Sequence, residues 1–166
     1  MLIRNVKLSV KIESCPLDIV SQLLTKKNLA YKNFGNFLSF TRRYSYVLFK
    51  TSSNGLTHVN ITKVPGLGRP IRRSLKILRK VLRKKIVSFK IDNIIATSDL
   101  KKKISLKKIA LRKDLKVIYN NERFPGLFIK FDEGTSILYH SGKVVLVGCK
   151  TVHKLTTIEE WLNANI

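Results

Sequence analysis

Two tracts of the chain alternate apolar and polar residues with a period of two, the spacing of half-buried β-strands. In 5–10, Val6, Leu8 and Val10 fall on one face and Asn5, Lys7 and Ser9 on the other. In 93–98, Ile94 and Ala96 oppose Asn93, Ile95 and Thr97. Each run leads into a short segment of helical character, "PLDIVSQLLTKKN" and "SLKKIALRKDL". Then come "YKNFGNF" and "YNNERFPG", the strand-like pairs "YSYVLFKT" with "TSILYHSG" and "THVNITKV" with "KVVLVGCK", and a closing helix in each half. Asn5 and Asn93 lie 88 residues apart, as do Tyr31 and Tyr119. Such a fixed offset is the mark of an internal repeat.

The order predicted for each half is strand, short helix, three antiparallel strands, longer helix. Residues 1–85 and 86–166 form the two repeats. Hairpin-like breaks at Ser52-Ser53-Asn54-Gly55 and Ser141-Gly142 agree with it. Strands bracketed by helices give an α+β fold with helices on one face of an antiparallel sheet. The first closing helix, 69–85, has Pro70 in its first turn and an apolar stripe of Ile71, Leu75, Leu78 and Leu82. The last helix is predicted shorter, starting at Thr156 with Glu159 in capping-box spacing.

The strand in 143–149 breaks the alternation. Lys143, Val145, Val147 and Cys149 fall on one face, and Val144, Leu146 and Gly148 on the other. Helices cover only one face, so the second apolar face implies a partner, a third layer or a second copy.

Charge narrows that choice. The chain has 33 Lys+Arg against 10 Asp+Glu, a formal net charge of +23. Such an excess repels itself unless a polyanion neutralises it, which makes nucleic acid the first partner and an anionic membrane surface the second. The helix at 69–85 bears Arg72, Arg73, Arg79 and Lys80 on its polar face. That face suits bulk solvent, an acidic protein, a phosphate backbone or a nuclear import signal. The chain is 44% hydrophobic, enough to fill a core, and shows no apolar run long enough to span a membrane, nor a secretory h-region. Cys15 and Cys149 have no C-x-x-C partner. His58, His140 and His153 lack ligand spacing, and the acids are scattered. The expectation is no metal, no cofactor and no catalytic centre.

"FPGLFIKFDEGTSILYHSGKVVLVGCK", with "VSFKIDNIIATSDL" and "SLKKIALR", resembles the second repeat of the TATA-binding proteins. The resemblance covers 86–150 closely; the first half shares the layout, Asn5 and "YVLF" but lacks the Ser-Gly-Lys turn. It implies a saddle of two pseudo-symmetric repeats, with one curved antiparallel sheet in the DNA minor groove and helices on the convex face. Phe124 and Tyr139 would be the wedges of the second repeat. Phe49 and Phe37 would be those of the first, with Phe34 an alternative to Phe37. Asn5 and Asn93 would bond base acceptors near the pseudo-dyad. Thr62, Ile95, Val145 and Val147 would line the groove floor, and Arg112, Lys130, Lys143 and Lys150 would meet phosphates.

The implied function is transcription initiation on A/T-rich promoter DNA, with bending by aromatic wedges and recruitment of general transcription factors and RNA polymerase. The expected setting is the nucleus, or the site of viral transcription, with a monomer on DNA. Departures from the family pattern are Val147 in place of a base-bonding Thr, and Lys7 and Asn60 in place of apolar floor residues. Asn120, Glu122 and Arg123 stand where the family meets transcription factor IIB. The alternative is an interaction protein that has lost DNA binding and captures factors through the basic helix. A basic RNA-binding protein of ribosomal type is the third reading.

Overall fold

The computed structural model describes residues 1–166. They divide into two compact units: Asn5–Asp92, and Asn93–Ile166 together with Met1–Arg4.

The first unit is built from β1 (Leu2–Glu13), α1 (Leu17–Lys26), β2 (Tyr31–Asn33), β3 (Phe37–Arg42), β4 (Tyr44–Phe49), β5 (Leu56–Val64) and α2 (Arg69–Leu82), and takes in the start of β6 (Ile86–Asp99). Its strands lie in the order β2-β3-β4-β5-β1, each pair antiparallel. Alternation does what the pattern predicts. Val6, Leu8, Val10 and Ile12 of β1 are buried, as are Val59 and Ile61 of β5, Val20 and Leu24 of α1 and Leu78 and Leu82 of α2, with α2 packed on β5 and on α1. Asn5, Lys7, Ser9, Asn60 and Thr62 stay half-exposed on the face that the helices leave open.

The second unit continues along β6 to α3 (Leu106–Ala110), β7 (Val117–Ile118), β8 (Leu127–Phe131), β9 (Gly134–Leu138), β10 (Lys143–Cys149) and α4 (Val152–Asn165). The strand order is β6-β10-β9-β8-β7, again antiparallel throughout. Leu155, Ile158 and Leu162 of α4 close the core over β9 and β10.

Five details differ from the sequence expectation. Helix α2 ends at Leu82 and not at Lys85, because Arg83 turns left-handed at φ +55°. Each unit has four strands after its first helix, because the very short β2 and β7 extend the outer edge. Helix α4 begins at Val152, four residues before Thr156, since the Thr151 side chain accepts the Lys154 N–H and caps the helix there. It is 14 residues long, the same as α2. In α2 the buried stripe is Ile71, Ser74, Leu78, Val81 and Leu82, with Leu75 at its margin. Ser74 is tolerated inside because its hydroxyl donates to the Ile71 carbonyl, while its own carbonyl accepts from Tyr46 Oη.

Candidate nucleic-acid interface

The open face of the second unit is assembled from β6 and β10. Val145 lies opposite Thr97 and Leu146 opposite Ala96. Ile95, Thr97, Val145 and Val147 are half-exposed there, and Ile94, Ala96, Val144 and Leu146 face the helices. The register then slips between Leu146 and Cys149, with Gly148 at φ +89°. This is a β-bulge: one extra residue reverses the facing of all that follow. Cys149 is therefore fully buried beside Val144 and Leu146, a correction to its expected place beside Val145.

The bulge also frees the Gly148 N–H from the ladder. It donates to the Asn93 side-chain oxygen at 2.8 Å. With that oxygen occupied, the carboxamide NH2 is the end of Asn93 presented outward, a pair of donors with no partner inside the protein. In the first unit Lys63 takes the bulge position at φ +62°, between half-exposed Thr62 and buried Val64, and the β1–β5 register slips between Val6 and Leu8. The Asn5 side-chain oxygen is enclosed there without a hydrogen-bond partner.

Aromatic rings cluster at the β3–β4 and β8–β9 pairs. The Phe124 ring centroid is 5.2 Å from that of Phe128 and 6.1 Å from that of Tyr139. The Phe124 ring lies across Gly126, where an added Cβ would come within 2.6 Å of it. In the first unit Phe37 stands opposite Phe49 in the strand register, with ring centroids 6.2 Å apart. Phe34 stacks on Phe37 at 4.5 Å. The register explains the difference. Leu38 opposite Leu48 matches Leu127 opposite Leu138, so Phe37 fills the position that Gly126 leaves open for Phe124. Both Phe34 and Phe37 therefore belong to the cluster. Phe128 was missed by sequence reasoning, although the alternation in "LFIKF" places it on the open side of Leu127 and Ile129.

Polar groups distinguish the two open faces. In the first unit Ser9 Oγ donates to Asn60 Oδ1 at 3.3 Å and also bonds the Asp92 carboxylate. Lys90 Nζ lies 3.7 Å from the same carboxylate. Around the second unit, Lys130, Lys143 and Lys150 are exposed and free of ion pairs. Arg112 is held otherwise: it binds Asp114 through Nε and Nη2, donates Nη1 to the Asn165 carbonyl at 2.8 Å, and stacks over Trp161. Its hydrogen bond to Asp114 holds that carboxyl below the usual carboxylate range. A phosphate would compete with these partners for the same donors. Asn120, Glu122 and Arg123 form an exposed turn whose Asn120 carbonyl accepts the N–H groups of Arg123 and Phe124. Arg72, Arg73, Arg79 and Lys80 are exposed on α2. Burial raises both cysteine thiols, at Cys15 and Cys149, above their ordinary value. No group of three or more His, Cys, Asp or Glu side chains is placed to hold a metal ion.

A family model described as "Transcription factor TFIID (or TATA-binding protein, TBP)" matches residues 88–162. The structure superposes on "Methanococcus jannaschii TBP" with a TM-score of 0.78 and 25% identity, over 98% of this chain and 95% of that one. The chain resembles the TATA-binding proteins in fold over nearly its whole length and in sequence over residues 88–162. The expected α+β fold of that family is borne out. Among the relatives, a "TATA-box-binding protein" of Pyrococcus abyssi is 35% identical over 72 residues, 42% of this chain and 37% of that protein. Longer matches are weaker. A "TATA-box-binding protein" of Emericella nidulans is 27% identical over 153 residues, 89% of this chain and 57% of that protein. A "TATA box-binding protein-like 2" of Danio rerio is 28% identical over 155 residues, 89% of this chain and 49% of that protein. The matched segments thus span between about a third and three fifths of these relatives.

Proposed function

We propose that this chain binds A/T-rich duplex DNA through the open faces of its sheet strands, in the minor groove, and acts in transcription initiation. The observation that carries the reading is Asn93. Its oxygen already accepts the Gly148 N–H and its NH2 has no partner in the protein, so it chiefly offers donors to a ligand. The minor-groove edge of an A·T pair offers only acceptors, whereas G·C adds the guanine amino donor. Donors held at fixed orientation therefore favour A·T. Half-exposed Ile95, Val145 and Val147 supply aliphatic contact for sugar edges beside it.

The aromatic clusters complete the mechanism. Phe124 and Tyr139 in one unit, and Phe37 with Phe34 and Phe49 in the other, are positioned to enter base steps. Unstacking costs a few kcal/mol per step, offset by the wrapped surface. Thr62 bonds a base acceptor in this reading, and Lys130, Lys143 and Lys150 meet phosphates, with Arg112 joining them only by leaving Asp114. Asn120, Glu122 and Arg123 form the surface offered to the transcription machinery. The relatives bear the name of the TATA box, which supports the same substrate.

Selection from random duplexes at fixed salt, with end-to-end fluorescence transfer reporting the bend, tests the proposal. It predicts an A/T-rich consensus and a bend that the Phe124→Ala/Tyr139→Ala double substitution removes. An unchanged affinity and bend in that variant would overturn the wedge mechanism. Selection without an A/T-rich consensus would overturn the groove assignment.

A further inference from the structure

We infer that the exposed face of α2, with the Arg42–Arg43 corner, is a second nucleic-acid site that grips the phosphate backbone of another duplex. Its charge is not accounted for by the sheet face. Ile71, Ser74, Leu78, Val81 and Leu82 pack α2 onto the buried side of the first unit's strands. Its arginines point the opposite way from Lys7, Ser9 and Asn60. A duplex on the open face is separated from them by the thickness of a strand layer and a helix, about 20 Å.

The surface is cationic without compensation. Residues 19–91 contain seventeen Lys and Arg and no acid. None of the three ion pairs in the protein involves a side chain of α2. Arg72, Arg73, Lys76, Arg79, Lys80 and Arg83 recur at helical spacing as one stripe. At 1.5 Å per residue it is about 16 Å long, room for roughly five phosphates of one strand at 3.4 Å each. Arg42 and Arg43, at the β3–β4 turn, join Arg73, Lys76, Ile77 and Lys80 around an open groove of about 410 Å³.

The chemistry of the patch favours a phosphate backbone over an acidic protein. Neither α2 nor the Arg42–Arg43 corner exposes a large apolar side chain. Protein partners depend on a few desolvated aromatic or aliphatic anchors, whereas nucleic-acid interfaces are polar and strongly positive. Arginine is also abundant here, and its planar fork matches phosphate oxygens in pairs.

This inference rests on the sheet-face reading only for the first duplex, and its test separates the two. In the full chain carrying Phe124→Ala/Tyr139→Ala, a random-sequence duplex should still bind with strong salt dependence. Adding Arg72→Gln, Arg73→Gln, Lys76→Gln, Arg79→Gln and Lys80→Gln should flatten the log K against log salt slope by about 4. The same five positions as lysine should keep most of it, and thermal unfolding should show both sets folded. With wild type, a labelled second duplex should be retained on a bead-held A/T duplex. A slope unmoved by the glutamines, or displacement of the duplex by polyglutamate at lower charge concentration, overturns the second site. An intact bend with only one duplex held overturns it as well. A wild-type chain that leaves the A/T duplex unbent while the salt-dependent α2 binding is intact overturns the sheet-face reading alone.

Discussion

At the scale of single residues, Asn93 joins a fold contact to the proposed readout in one side chain. Asn93→Asp keeps an oxygen for the Gly148 N–H and replaces the outward donors with an acceptor bearing negative charge. The protein should remain folded while A/T duplex affinity falls at least tenfold, roughly 1.5 kcal/mol or more. Competition binding of the variant with A/T and G/C duplexes checks this; an unchanged A/T preference contradicts it. Gly142 is the opposite kind of residue, required by the backbone. It sits at φ +87°, and an added Cβ would lie 2.2 Å from the Lys102 carbonyl oxygen. Its N–H donates to the Tyr139 carbonyl, so the turn anchors the backbone of a proposed wedge. Gly142→Ala should destabilise by about 2–4 kcal/mol in denaturant unfolding, since strain and a backbone clash add. The turn was legible in Ser141-Gly142, because hairpin turns demand glycine. That Lys102 backs it was not, because that contact joins residues forty apart in sequence. The contacts of Arg112 with Asn165 and Trp161 were equally hidden, since they depend on the end of α4 arriving beside Arg112.

At the scale of elements, the alternation of apolar and polar residues located β1 and the second half of β6, because burial on one face leaves a period-two record; β3 was not marked by it. The short edge strands leave none: two or three paired residues cannot record a period. The bulges also escaped, and with them the facing of Cys149, because an inserted residue looks like any other in the sequence. Comparing the two units makes the bulge testable. Gly148 accepts φ +89° without strain, whereas Lys63 holds φ +62° at the matching place. Left-handed backbone costs a residue with a Cβ about 1–2 kcal/mol, partly cancelled by the greater freedom glycine has when unfolded. Lys63→Gly should therefore stabilise the protein by about 0.5–1 kcal/mol, seen as a higher denaturation midpoint with unchanged m. In α4, Thr151→Ala removes the side-chain acceptor for the Lys154 N–H and should cost about 1 kcal/mol. Thr156→Ala, at the start expected from sequence, leaves that cap in place and should cost less.

At the scale of the whole molecule, charge is divided unevenly. Residues 5–92 hold nineteen bases against three acids, a net +16, and the remaining residues fourteen against seven, a net +7. Self-repulsion grows faster than linearly with net charge, so the first unit bears most of the penalty. It is also the unit whose open face is hydrophilic, with Ser9, Asn60 and Asp92 bonded together where the second unit has Val145 and Val147. The second unit thus holds the chemistry that best fits the proposed groove contact, and the first holds the larger store of unneutralised charge. Added salt or a bound polyanion should relieve that charge unequally. Moderate salt should raise the melting temperature, and amide hydrogen exchange should slow more within 5–92 than within 93–166. A duplex at a hundred times its dissociation constant should add about 2.7 kcal/mol of stability. Because binding weakens as salt rises, duplex stabilisation should fade over the range in which the free protein gains. Melting curves with and without duplex should therefore converge with salt. Parallel curves would mean that binding draws little on the charge.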